Sequence, residues 1–371
     1  MIQLDLLEIL KKDSNFSIKE LDKELIVNKP RRQALKIPKT VNLCGELLRS
    51  LFLIFGDGHY KSKLSLTNHV YRIHMYVIHS FENNLGIPKD VWKLRIIHSQ
   101  NQDKKFINIV KRYWTRVLEF DDNQLYPTIS SSFGYKTCEE GIARIQIDKM
   151  NISEIVKILI EKAISLIKNN KLSEEEYCYI LDGILNAEGS VLLDSKGIHR
   201  VTISFNKKEK ILFRIILLKL IQKKVFKEKE DRFIISKWYF IYQFLKPFVK
   251  YNIIPFSLRP RDAHNLISGF LNHKRTQALR NYLETIEKYP NKYFSQIARL
   301  SNRDWKSAKQ TLQIRTKEFV NIKRVKGRQI TRLSEEGKNL LNLIRTLENW
   351  LPIISKNLKE DDLKIKQLEV K

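Results

Sequence analysis

The sequence predicts an α+β protein built on an internal repeat, and three observations carry that expectation. Two apolar helical stretches, SLFLIFGDG at 50–58 and LDGILNAEG at 181–189, each end in an acidic residue followed by glycine. Each then leads into alternating, strand-like sequence and a further helical pattern, through KLSLTN in the first case and VTISFN in the second. Finally, a 371-residue chain with 43% hydrophobic residues has enough apolar side chains for two or three packed units. A repeat period above about 100 residues marks a pair of related units and not a solenoid.

In chain order, residues 1–37 read as a helical arm. LDLLEIL is followed by SIKELDKEL, with Ser17 as N-cap and Glu20 three residues on, and the arm closes on the basic cluster Lys29, Arg31 and Arg32. The first unit, 38–172, is expected to hold an apolar helix at 46–56, a strand pair at 60–67, a helix at 70–85 and a strand at 91–98. A helix containing Trp114, extended segments at 126–131 and 143–147, and a long helix after a cap region at 151–153 complete it. The second unit, 173–250, repeats the theme: a helix at 175–187, strands at 191–193 and 199–205, a helix at 209–222, strands around Val225 and Phe233, and a helix ending near Val249. Pro255 and Pro260 bracket a change of character, after which 262–289 reads as one connector helix. Within 291–350, FSQIARL is a short helix, SNRD a capping turn, and WKSAKQTLQIRTK a basic helix. FVNIKRVKGRQITRL is a strand pair, and an amphipathic helix starts near Ser334. Residues 351–371 read as a charged tail.

Composition narrows the function. Lys and Arg total 68 against 41 Asp and Glu, a net charge of +27. Such a surplus strains a compact fold by self-repulsion unless a polyanion offsets it, so a nucleic-acid partner is expected, with strongly salt-dependent binding. A generally basic proteome is the simpler alternative. Cys44, Cys138 and Cys178 lie far apart with no CxxC pair, which argues against a zinc site or disulfide framework and fits a reducing compartment. No stretch reaches the roughly 18 uncharged residues needed to span a bilayer, so a soluble, cytoplasmic protein without membrane contact is expected.

The two acidic helix ends carry the chemistry. Gly183 and Ala187 lie four apart, hence on one helix face, where small side chains let a second backbone come close. The first stretch places Gly56 opposite Ala187 but has Phe52 where the second has Gly183. If the helices pair through these faces, their C-terminal ends bring Asp57 and Glu188 together. Two carboxylates beside two negative helix ends repel unless divalent cations neutralise them, and acidic oxygen sites favour Mg²⁺, whose waters serve phosphodiester hydrolysis. Alternatively, each acid sits in an ordinary turn.

LDGILNAEGS resembles the signature of the LAGLIDADG homing endonucleases, and SLFLIFGDGHY resembles a weaker first copy. The resemblance covers about residues 38–250, including RYWTRVLEF, QLYPTI and GIARIQI. It implies a pseudo-twofold pair of αββαββα units whose two antiparallel sheets form a saddle over the DNA major groove. The last acid of each motif would bind Mg²⁺ for a double-strand cut, in a protein acting as a monomer. Asp57 and Glu188 match those acids, with Gly56 and Ala187 beside them in the implied metal-binding set. Asn68 and Asn206 close equivalent strands and, with Lys207, either surround the acids as polar support or simply cap helices. Ser50 and Phe52 depart from the pattern, so the first helix is expected to pack at wider spacing. Strand alternation would turn Tyr60, Lys61, Lys63, Lys93, Arg95, His199, Arg200 and Arg232 toward a groove, where Arg and Lys read guanine or hold phosphate.

The run 294–333 resembles a winged helix-turn-helix, with a recognition helix at 303–317 and a wing around Lys326, Gly327 and Arg328. Arg303, Lys306 and Lys309 would contact DNA, and Trp305 would serve either there or in the core. Two other functions fit the same resemblance: a non-cleaving transcriptional regulator that pairs a LAGLIDADG-like fold with a helix-turn-helix, and a maturase acting on intron RNA.

Overall fold

The computed structural model describes residues 2–13, 16–28, 34–99, 103–131, 141–193, 199–315, 317–325 and 328–369 of an α+β chain. The N-terminal segment is not the expected helical arm. It opens with strand β1 (Ile2–Asp5) and helix α1 (Leu6–Asp13), capped by Asp5, whose carboxylate accepts from Leu7 N at 2.8 Å. Strands β2 (Ser17–Glu20), β3 (Glu24–Asn28) and β4 (Leu35–Pro38) form a three-stranded antiparallel sheet, and β5 (Thr40–Leu43) pairs with β1. The stretch read as a Ser-capped helix is therefore β2 and β3. Leu25 and Val27, both buried, alternate along β3 and face Ile37 and Leu35 in the register, and that period of two overrides the capping signal. The basic cluster Lys29, Arg31 and Arg32 lies outside the described residues.

The first unit begins with α2 (Gly45–Asp57), whose residues 51–54 are wholly buried. It continues through β6 (Gly58–His59), β7 (Leu64–Asn68), α3 (Tyr71–Leu85), β8 (Lys93–Ser99), α4 (Lys104–Leu118), β9 (Ile129–Ser131), β10 (Ile142–Ile147) and α5 (Met150–Lys168). The sheet order is β6-β7-β10-β8-β9, antiparallel except for the β8-β9 pair. Asn151 and Ser153 lie inside α5 and not before it, and Ser153 Oγ donates to Tyr60 O at 3.2 Å. One face of this sheet, with Leu64, Leu66, Leu94, Ile96, Ile145 and Ile147, is buried under helices including α3 and α5. The opposite face carries Thr67, Lys93, Arg95 and Arg144 in register.

The second unit repeats the order: α6 (Glu174–Glu188), β11 (Gly189–Leu193), β12 (His199–Ser204), α7 (Glu209–Leu220), β13 (Lys227–Glu228), β14 (Arg232–Ser236) and α8 (Trp238–Lys250). Its sheet runs β11-β12-β14-β13. The strand expected around Val225 is β13, two residues on, because Val225 closes a short 3-10 turn. Val191, Val201, Phe233 and Ile235 are buried, while Arg200 and Arg232 are exposed.

The expected single connector is two helices, α9 (Pro260–Asn272) and α10 (Lys274–Lys288), broken at His273, whose ring accepts from Arg275 N at 3.1 Å and caps α10. Helices α11 (Phe294–Leu300) and α12 (Trp305–Lys309) follow, the latter capped by Asp304 and continued as a wider π turn through Arg315. Hairpin β15 (Val320–Val325) and β16 (Arg328–Leu333) adds a bridge from Ile330 to Tyr293. The expected charged tail belongs to one long helix, α13 (Glu335–Glu369), which runs through Pro352. Proline removes one backbone donor, and the buried Trp350 and Ile354 on either side hold the helix together. Glu336 at its start accepts from Tyr242 and Lys246 of α8, each at 2.9 Å, and Asp361 near its end accepts from Arg72 of α3 at 2.8 Å. Among the described residues no helix is long and apolar enough to cross a membrane.

Candidate active site

Helices α2 and α6 lie side by side at the centre of the two units. Their closeness follows from missing side chains. A Cβ on Gly56 would sit 2.7 Å from Ala187 Cβ, and one on Gly183 would sit 2.6 Å from Arg49 O and 3.2 Å from Phe52 Cβ. The wider spacing expected from Phe52 is not found: its ring is fully buried, and the absent side chain of Gly183 makes the room. The contact is locked by Arg49 of α2, whose Nε lies 2.8 Å from the fully buried Asp182 of α6, with its guanidinium 5.2 Å from the ring centroids of both Tyr76 and Tyr179.

Both helices pass straight into strands at Gly58 and Gly189, whose amides donate to Ile54 O and Leu185 O. Any Cβ there would stand 2.5 Å or 2.4 Å from those same carbonyls, so only glycine permits the turn. The acids thus occupy the last helical positions, at adjoining ends. Asn68, at the end of β7, donates from Nδ2 to Asp57 Oδ2 at 2.6 Å, and its Oδ1 accepts from Val70 N at 2.8 Å. Beneath it, the buried His74 lies 3.1 Å from Asn68 O; a carbonyl only accepts, so His74 Nε2 carries the proton. Burial, then the Glu188 charge, pushes the Asp57 carboxyl up to about 7, against the Asn68 hydrogen bond and the positive charge of Arg259. Glu188 is raised by burial and by the nearby Glu209.

The acids open onto a cleft of about 390 Å³ lined also by Thr67, Asn68, Ser190, Ser204 and Arg259. Arg259 was not expected from the sequence. It donates to Gly189 O and pairs with Asp262 at 2.8 Å, while the segment carrying it is pinned to α6: Ser257 Oγ donates to Asp182 Oδ2 at 2.7 Å, and Leu258 N to Asn186 Oδ1 at 3.0 Å. Asp182 and Asn186, two polar residues four apart in an apolar helix, signal that a buried partner is needed, but not which segment supplies it.

The remaining expected residues divide. Asn206 supports Glu209 and not Glu188: its Oδ1 accepts from Lys208 N and Glu209 N at 2.9 and 3.1 Å, and its Nδ2 donates to Glu209, so it acts as the cap of α7. Lys207 is exposed in the preceding turn and is not a wall of the cleft. Tyr60, Lys61 and Lys63 are not strand residues but form the β6-β7 turn, closed by a 3.1 Å contact between His59 Nε2 and Ser62 Oγ; Tyr60 is half-buried against the core. Lys93 and Arg95 lie on the polar sheet face, Lys93 donating to Asn123 O at 2.9 Å and Arg95 standing 4.8 Å from the Tyr126 ring centroid. Arg144, missed from the sequence, sits between Thr67 and Arg95 and donates to Thr67 Oγ1 at 3.0 Å.

Arg200 and Arg232 share one face of the second sheet, two positions either side of Thr202 and Ile234, and Arg232 is held by Asp231. The side chain of His199, paired with Leu193, is outside the described residues, as are Lys326, Gly327 and the side chains of Trp305 and Arg328. Arg303, Lys306 and Lys309 are exposed around the start of α12. Neither a scan of protein-family models nor a search of curated proteins finds a match for this chain.

Proposed function

We propose that the protein is a divalent-metal-dependent endonuclease of double-stranded DNA, of the LAGLIDADG homing type, with a winged helix-turn-helix as a second DNA-binding unit. The observation that carries the reading is the meeting of Asp57 and Glu188 at the ends of two tightly packed helices, each with its carboxyl raised by burial and neighbouring negative charge. Among the described residues no group of three or more His, Cys, Asp and Glu is placed to hold a metal ion. Two carboxylates in an open cleft instead suit a hard cation such as Mg²⁺, which binds through one or two carboxylates and keeps its waters. Bound there, the ion would supply a water-derived nucleophile and charge stabilisation for phosphodiester hydrolysis.

The chain's own residues set the stage. Asn68 fixes the direction of Asp57, and Arg259, held by Asp262, lines the cleft where a phosphate would enter. The polar sheet faces bearing Lys93, Arg95, Arg144, Arg200 and Arg232 would lie along the duplex. Three successive helices, a Tyr293 bridge and the β15-β16 hairpin support the winged-helix reading, with Arg303, Lys306 and Lys309 toward DNA.

The test is cleavage of DNA spanning the protein's own gene locus in Mg²⁺. Cutting by the intact protein, lost in the Asp57→Asn, Glu188→Gln double variant, is the expected result. Full cutting by that variant, or a footprint without any cut, would remove the nuclease reading, and the footprint alone would favour a regulator.

A further inference from the structure

The first unit contains an element the second lacks. In the second sheet β13 passes to β14 through residues 229–231, whereas between the corresponding β8 and β10 the first unit inserts residues 100–141, including α4 and β9. Helix α4 buries Val110, Tyr113, Trp114 and Leu118, with Trp114 edge-on to His74 of α3 at 5.3 Å. It therefore packs on the helix-covered side of the sheet, not on the polar face. Its outer side presents Lys104, Lys105, Arg112 and Arg116, all exposed, with Lys111 partly so.

This face is of one sign. Helices α5 and α10, by contrast, mix charges, as in the Lys157–Glu161 and Arg280–Glu284 pairs. KKFINIVKRYWTRVL contains no acid; of the flanking acids, Asp103 caps α4 by accepting from Phe106 N at 2.6 Å, and Glu119 pairs with Lys89 at 3.1 Å. Arg112 and Arg116 stand four apart, a like-charge spacing that weakens a helix facing only water. From residue 104 to 116 the row spans about 18 Å, enough to face several phosphates of one strand, which advance about 3.4 Å per nucleotide along the axis.

We infer that the outer face of α4 is a second DNA-backbone contact, sequence-blind and separate from the polar sheet faces, in which Lys104, Lys105, Arg112 and Arg116 hold phosphates of a duplex. It rests on the DNA-binding half of the reading above and not on cleavage.

The test titrates the full-length protein with a duplex of scrambled sequence, about 40 base pairs long, from roughly 50 to 200 mM salt. Wild type gives a steep dependence of log affinity on log salt. Arg112→Glu, Arg116→Glu lowers the slope by about 2 and the affinity at the lowest salt by about tenfold or more, since each phosphate contact contributes about 0.9 to the slope. Arg112→Lys, Arg116→Lys keeps both, and Lys162→Glu, Lys168→Glu on α5, with the same change in net charge, leaves the slope of wild type. Circular dichroism establishes that the variants are folded. An unchanged slope in the α4 reversal, an equal loss in the α5 control, or a loss seen on an RNA hairpin but not on duplex DNA would each overturn the inference. A shallow slope in wild type itself would refute the DNA-binding reading as a whole.

Discussion

At Asp57, burial and the Glu188 charge hold a carboxyl near neutrality. Its value of about 7 lies above the ordinary 3.8, so between those limits the folded protein holds a proton that the unfolded chain has released. Stability is accordingly present on the acid side and lost as pH rises through that window. A divalent cation bound at the ionised pair, as proposed above, would reverse the loss. At pH 8, Mg²⁺ at about a hundredfold excess over its dissociation constant is expected to stabilise by about 2.7 kcal/mol, read as a rise of a few degrees in the thermal midpoint. In Asp57→Asn, Glu188→Gln the midpoint at pH 8 starts higher than in wild type and does not respond to Mg²⁺. Equal responses in both proteins would put the cation elsewhere. The acids themselves were legible, because an acid and a glycine after an apolar helix recur twice in the chain. Arg259 was not, since its place depends on Ser257 and Leu258 meeting Asp182 and Asn186 across more than 70 residues of chain. Asn206 looked equivalent to Asn68 in the sequence, but Glu209 three residues on captures it as a helix cap.

Among the elements, the α2-α6 pair brings the two acids to one cleft, and its closeness rests on Gly183 lying against the Arg49 carbonyl. Gly183→Ala puts a methyl where backbone stands 2.6 Å away, so one helix must shift. The expected loss is about 1–3 kcal/mol in urea unfolding, with reduced coupling of Asp57 and Glu188. An unchanged urea midpoint would show that the helices have slack. Helices were read from apolar periodicity to within a residue or two for α2, α3, α6 and α7, because a long buried face repeats its signal over several turns. Strands β10, β11 and β12 were read nearly as well, but β2 and β3 were not: they carry a helix-like cap and charge pattern, and what makes them strands is β4, a partner some ten residues away. The break at His273 escaped for a related reason, since a capping ring leaves no trace in hydrophobic spacing.

Across the whole molecule, α13 ties the C-terminal helices and hairpin to both repeated units. Trp238 of α8 stacks on Phe270 of α9 and meets Phe319 edge-on, so the hairpin region is seated on an aromatic cluster. At the far end, Asp361 accepts from Tyr71 OH at 2.9 Å and from Arg72 Nε at 2.8 Å, with Lys364 Nζ 4.3 Å from the Tyr71 ring centroid. Asp361→Ala leaves a partly buried guanidinium and hydroxyl without that partner, at a cost of about 1–2 kcal/mol. Hydrogen exchange is expected to quicken in residues 355–369 while α2 and α6 stay protected. Faster exchange throughout would mean that α13 is part of the central core and not a strap over it.

The sequence by itself determined the α+β class, the repeated helix and strand order, and the two acids at helix ends, because apolar periodicity and small residues at fixed spacing act locally along the chain. The tertiary structure alone decided that Phe52 fits over Gly183, that Arg259 enters the cleft, that α13 runs unbroken through Pro352, and that Asn206 serves a helix. Each of these depends on a partner distant in sequence or on competition between two local partners, and neither distance nor competition is written in the order of the residues.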